Sequence, residues 1–331
     1  MKKGITITII TIVALLLACA LIASQGVGEV MKAVSRIGWG IIPVLLIHLA
    51  QVVFSGLGWY SFFSNSSYTG TMSGVIFLRW VREAINSMLP MTQVGGEVIS
   101  NRVLILRGMK GGEAGATIVL DLTMEIVSQF LFTLLGLFLV MRTGYDGPVV
   151  DWVIIGLVIS VLVIISFYIA QNRGMFRVFE RLVEKLTQTT SLFSSNPIDG
   201  LHDCIQQLYR RRVTLINSCS LHLLSWLVGT FEVWLIMYFI GSPVTLTQAL
   251  VLESLGQAVR SAVFFIPGGL GAQEAGYLVF GLIYGLPPDQ GLALSLVKRL
   301  REVLLGIPGL LAWQMIEGRH AWGRKKISDA D

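Results

Sequence analysis

Charge is scarce in this chain. Only 14% of its 331 residues are Asp, Glu, Lys or Arg, against 54% apolar. Cysteine is scarcer still. Cys19, Cys204 and Cys219 are scattered without metal-ligand spacing, which argues against a disulfide framework and leaves free thiols as the expectation. The four histidines, His48, His202, His222 and His320, form no HExxH pair, and no aspartate-rich prenyl-diphosphate motif occurs. These absences leave no catalytic, metal or cofactor signature, so neither a metal nor a cofactor is expected, nor a nucleic-acid partner.

Long apolar runs are what the chain has instead: Ile5–Ser24, Trp39–Phe63, Ala114–Met141, Trp152–Ala170, Leu215–Ile240 and Gly291–Trp313. Each can cross about 30 Å of hydrocarbon. The expectation is an all-α, polytopic membrane protein with one integral membrane domain over 1–331. A first half, 1–170, is joined to a second half, 215–331, by a linker at 171–214. Met1-Lys2-Lys3 and Ala18-Cys19-Ala20 imitate a cleavable signal, but the apolar run between them exceeds the usual signal core of about 7–15 residues. A retained first helix is therefore expected.

Basic residues orient the spans. With six spans and both termini inside, the inner segments hold Lys2, Lys3, Arg79, Arg82, Arg102, Arg107, Lys110, Arg173, Arg177, Arg181, Lys185, Arg210–Arg212, Arg319 and Arg324–Lys326. Lys32, Arg36 and Arg142 fall outside, and Arg260, Lys298, Arg299 and Arg301 lie in embedded segments. The linker spaces Arg173, Arg177, Arg181 and Lys185 every four residues opposite Phe176, Phe179 and Leu182. That pattern suits an amphipathic helix on an anionic inner leaflet or an ordinary solvated one. Asn196-Pro197 then predicts the start of another helix.

Two stretches organise the rest: NSMLPMTQVGGEVISNRVL at 86–104 and SAVFFIPGGLGAQEAGYLVF at 261–280. In each, proline and glycine (Pro90, Gly95, Gly96; Pro267, Gly268, Gly269, Gly271) predict a broken helix inside an apolar region. A glutamate follows seven residues after the proline, Glu97 and Glu274. Asp121 and Glu125 then match Lys298 and Glu302, so rare charges recur at a constant offset of 177 residues. Three spans separate the breaks, which makes the repeats opposite in orientation. The expected architecture is two inverted-topology repeats, each with a re-entrant broken helix, at Thr71–Leu106 and Thr245–Tyr284. Thr245-Leu246-Thr247-Gln248 reads as a capping box opening the second hairpin.

Charges at membrane depth face a cavity or a partner. Glu97, Asp121 and Glu125 are expected to supply the acidic side of a central cavity, with Lys298, Arg301 and Glu302 opposite and Glu274 at the second break. Glu97 and Glu125 are expected to face Lys298 and Arg301. Arg102, Arg79 and Arg82 are expected at the inner interface, as anchors or phosphate contacts. Plain interhelical ion pairing would produce the same charges.

With those residues in view, RWVREAINSMLPMTQVGGEV followed by DLTMEIVSQFLFTLLG resembles the lysylphosphatidylglycerol synthase transmembrane, or flippase-like, family, most closely its hopanoid-associated branch. The resemblance covers nearly the whole chain. It implies a bacterial inner-membrane protein that moves a lipid or polyisoprenoid lipid across the bilayer, with lipid-biosynthesis enzymes as further partners. The soluble aminoacyl-transferase domain of the family's synthases has no counterpart after the last apolar run, so no lipid aminoacylation is expected. A non-transporting scaffold and a membrane-embedded lipid-modifying enzyme are the rival readings.

Overall fold

The computed structural model describes residues 35–89, 95–143, 148–172, 200–262 and 271–328. Among them all regular structure is helical. In chain order the helices are α1 Ile41–Tyr60, α2 Met72–Met88, α3 Gly95–Leu106, α4 Gly111–Met141, α5 Pro148–Asn172, α6 Leu201–Tyr209, α7 Arg212–Phe239, α8 Leu246–Ala262, α9 Ala272–Ile283 and α10 Pro288–Ser328. Ser35–Phe63, Gly111–Met141 and Arg212–Phe239 are each long and apolar enough to cross a bilayer. The predicted runs at Trp152–Ala170 and Gly291–Trp313 fall within α5 and α10. Ile5–Ser24 lies outside the described residues.

Local chemistry sets the helix ends. Thr71 caps α2 by accepting from Gly74 N at 3.2 Å. At α8 the predicted capping box forms in both directions: Thr245 N donates to Gln248 Oε1 at 2.8 Å, and Gln248 N to Thr245 Oγ1 at 3.2 Å. Each bond satisfies a backbone or side-chain group left open at a helix start.

The helices α2 and α8 have 17 residues each, and α3 and α9 have 12 each. At 1.5 Å per residue they reach about 26 and about 18 Å, short of a hydrocarbon core of about 30 Å. Packing follows the same pairing. Helix α1 packs on α2 and α7 on α8; α2 on α3 and α8 on α9; α3 on α4 and α9 on α10. The short helices then cross over, α2 against α10 and α8 against α4.

The centre is the pair α1 and α7. Gly58 lies against His222, Ser55 bonds Ser225, His48 bonds Glu232, and Gly40 lies under the Phe239 ring. One residue number rises as the other falls, so the two helices are antiparallel. Apolar side chains gather at both ends of this pair. Ile37, Val44, Val233 and Ile236 join α8, α9 and α10 at one end. Trp59 and Phe62 join α2, α3, α4 and α6 at the other.

Polarity runs inside out. Leu46, Phe138, Leu162 and Val158 are more than half exposed on outer faces, while Asp121, Glu232, Glu253, Arg82 and Lys298 are buried at 1% or less. Water as surrounding solvent would favour the reverse distribution. Hydrocarbon favours this one, because charge must turn inward to find partners.

Three expectations need correction or limits. Gly95 and Gly96 were expected within a break, yet they form the first residues of helix α3. The reason for glycine at 96 is proximity: a Cβ there would collide with the Arg82 carbonyl oxygen. Gly271 does take a positive φ of 79°, ahead of α9. Pro90, Pro267, Gly268 and Gly269 lie outside the described residues. In the linker, 173–199 is likewise outside them, including Asn196-Pro197. From Leu201 onward the chain is not a solvated connection, since Leu201, Ile205 and Leu208 of α6 pack into the core beside α4. Cys219 is a free thiol, as expected.

The Gly96 contact carries a prediction. Gly96→Ala forces α3 away from α2 and lowers stability by about 1–3 kcal/mol, the usual cost of overpacking. Thermal unfolding of the detergent-purified protein measures it. An unchanged midpoint refutes the close approach.

Candidate functional site

Two buried charge clusters lie along the α1–α7 axis. The first is built on α2 and α4. Leucine, valine and isoleucine on the other faces of α2 hold it in the core, so Arg79 and Arg82, three residues apart, both turn toward α4. Arg79 grips Glu125 with both terminal nitrogens, at 3.0 and 2.5 Å, and reaches Asp121 at 3.3 Å. Arg82 Nη2 bonds Asp121 Oδ2, and its guanidinium stands 4.7 Å over the Trp59 ring. The second Asp121 oxygen meets His222 Nε2 of α7 at 2.9 Å. Glu97, in the first turn of α3, lies 3.8 Å from Arg82 Nε and accepts twice from Asn86 Nδ2, at 3.1 and 3.2 Å. Gly96 N donates to Asn86 Oδ1 at 2.7 Å, which fixes the amide's orientation.

The second cluster spans α1, α2, α7, α8 and α10. Lys298 Nζ bonds Glu253 Oε2 and lies 5.7 Å from the Tyr277 ring. Gln257 donates to the other Glu253 oxygen at 3.1 Å. Arg301 Nη1 reaches Glu232 Oε2 at 3.3 Å and also touches His48 Nδ1. His48 Nε2 meets Glu83 Oε1 at 2.6 Å, and its Nδ1 lies 3.2 Å from Glu232 Oε2. Gln51 donates to Glu232 at 2.6 Å. Glu302 accepts from Arg260 at 2.6 Å and from Arg299 at 3.0 Å.

His222 and Glu232 mark the two levels on α7. Ten residues of helix correspond to about 15 Å, roughly half the hydrocarbon thickness. The contacts between levels exchange places: Ser55 is 177 residues before Glu232, and His48 is 177 before Ser225. Thus Ser55–Ser225 at 3.0 Å and His48–Glu232 at 3.2 Å occupy swapped positions of the two halves.

Asp121, Glu125 and Glu97 share the first cluster, while Lys298, Arg301 and Glu302 sit in the second. The expected facing of Glu97 and Glu125 with Lys298 and Arg301 is not what the structure has. Glu125 is held by Arg79 and Glu97 by Asn86, whereas Lys298 takes Glu253 and Arg301 takes Glu232. Each half thus supplies its own counter-charge at short range, which removes the need for a partner across the axis. Arg79 and Arg82 are correspondingly buried inside the bundle. Arg102 is exposed on α3. Glu274 is buried in the first turn of α9, 3.6 Å from Arg299 Nε.

Glu232, Glu253, His48 and His222 were not singled out from the sequence. Glu232 had a signal: it is the sole acidic residue of α7.

Comparison with known proteins points to a membrane-protein family. Residues 6–309 match the family described as Lysylphosphatidylglycerol synthase TM region. Two UPF0104 membrane proteins of Methanothermobacter thermautotrophicus are similar to the chain. One is 22% identical over 304 residues, covering 86% of each chain, and the other 22% over 314 residues, covering 90% of each. No solved structure matches.

Proposed function

The chain belongs to the lysylphosphatidylglycerol synthase TM region family, and from that premise we propose that it translocates the polar head group of a membrane lipid or polyisoprenoid lipid. The observation that carries the reading is the pair of buried charge clusters about 15 Å apart on one antiparallel helix pair. Two charged levels inside an apolar shell provide successive polar stations for a head group that hydrocarbon would otherwise reject. Exchange of ion-pair partners between levels would open one station while closing the other.

Two inverted repeats supply the mechanical basis of this reading. Support comes from the matching 17- and 12-residue helices, the parallel packing scheme, and the exchanged Ser55–Ser225 and His48–Glu232 contacts. Re-entrant hairpins at Thr71–Leu106 and Thr245–Tyr284 would then meet from opposite sides, the arrangement found where broken helices line a transport path. The placement of Lys and Arg supports cytoplasmic termini, and the inner-membrane location rests on the sequence resemblance. The polyisoprenoid or hopanoid side of the assignment rests on sequence resemblance alone.

Sealed vesicles containing the purified protein and a fluorescent phospholipid test the proposal. Dithionite should reach more than the outer-leaflet fraction of label when protein is present. Arg79→Gln should slow that excess. Label accessibility equal to protein-free vesicles refutes translocation and favours a scaffold, and chemical conversion of the lipid favours an enzyme.

A further inference from the structure

We infer that Glu274 and Arg299 form an open receptor for an amine-bearing phosphate head group of the phosphoethanolamine class. The inference rests on the translocation reading for its lipid source, but not for its chemistry. Both Glu274 carboxylate oxygens are buried without a hydrogen-bond partner, and so are Nε and Nη2 of Arg299. The two side chains are only 10% and 15% exposed, and their closest approach, 3.6 Å, exceeds hydrogen-bond length. Four unsatisfied polar atoms at one place are unusual, since buried polar groups are nearly always paired.

The first half shows what the second is missing. Glu97 holds the same position 177 residues earlier, and there Asn86 satisfies it with two bonds. The residue 177 after Asn86 is Val263, and a valine side chain has no donor to offer. The cation beside Glu97 is Arg82 of the short helix α2; at the matching position of α8 stands Val259. Arg299 reaches in from α10 instead, with its Nη1 already committed to Glu302 at 3.0 Å. One half therefore closes its glutamate within the protein, and the other leaves it for a ligand.

The free groups define that ligand. Nε and Nη2 are the side-on edge of the guanidinium, whose two parallel donors fit two oxygens of a phosphate. A carboxylate alongside accepts N–H from a cation carried by the same head group. A phosphate with a primary amine offers both. A trimethylammonium offers charge but no N–H, and a glycerol offers hydroxyls but no positive charge.

Native mass spectrometry of the full chain, loaded in parallel with phosphatidylethanolamine, phosphatidylcholine and phosphatidylglycerol, decides the matter. Phosphatidylethanolamine should be retained about tenfold over the other two, the weight of one charge-assisted hydrogen bond. Glu274→Gln should bring it down to the phosphatidylcholine level, and Arg299→Gln should weaken all three. Equal retention of the three lipids by the unaltered chain overturns the receptor. Displacement by free phosphoethanolamine at equal concentration overturns its lipid source. Selective binding without transfer in the vesicle assay would leave the receptor standing and sink translocation alone.

Discussion

Exchanging Arg82 for glutamine should destabilise the protein by about 3–5 kcal/mol, the range for breaking a buried ion pair by removing one member. Arg82 is 1% exposed and shares Asp121 with Arg79 and His222. Glutamine keeps a donor but loses the charge and the stacking over Trp59, leaving Asp121 with the partial compensation of Arg79. Adding Asp121→Asn to Arg82→Gln should recover part of the loss, since the pair is then neutral on both sides. Reversible unfolding in mixed micelles reads both. A double variant as weak as the sum of the singles would mean that Arg82 acts through Trp59 and packing rather than through Asp121.

The same residue shows where sequence reading stops. Arg79 and Arg82 sit on a short segment rich in basic residues, and that density points to an interface. Their carboxylates lie on α4, 39 to 46 residues further on, and no local pattern reveals which face of α2 meets α4. The helix limits were legible for a different reason. Thr71, and Thr245 with Gln248, satisfy backbone groups within a single turn, so type and spacing suffice. The 17- and 12-residue segments could likewise be bounded from proline, glycine and charge.

Glu232 illustrates a second limit. One carboxylate in a 28-residue apolar helix scarcely lowers its average hydropathy, so the span is recognised and its most informative residue passes unnoticed. Its isolation is the usable signal, because an unpaired carboxylate at that depth is too costly to be incidental. His48 is subtler: an uncharged imidazole in an apolar run becomes meaningful only when Glu83, Glu232 and Arg301 converge on it from three other helices. The constant offset of 177 residues was legible in Glu97 and Glu274. The presence of Val263 where the first half has Asn86, which separates the fates of those two glutamates, needed the bonds of Asn86 to give it meaning.

Lys298 offers the sharper test of the two clusters. It is buried at 1% exposure and bonded to Glu253, itself at 1%. Lys298→Gln should cost several kcal/mol, about 3–5 by the same buried-pair range, because Glu253 is left with Gln257 and a distant tyrosine hydroxyl at 3.4 Å. Glu253→Gln in the same chain should return much of that loss and give a coupling energy of about 1–3 kcal/mol. Glu125→Gln combined with Lys298→Gln should instead be additive within about 0.5 kcal/mol, since Glu125 belongs to Arg79 and the other cluster. The two cycles, measured side by side, separate short-range pairing within each half from a single shared cavity. Strong coupling of Lys298 to Glu125, with none to Glu253, would put the cation back across the axis and dissolve the two-station arrangement on which the proposed translocation rests.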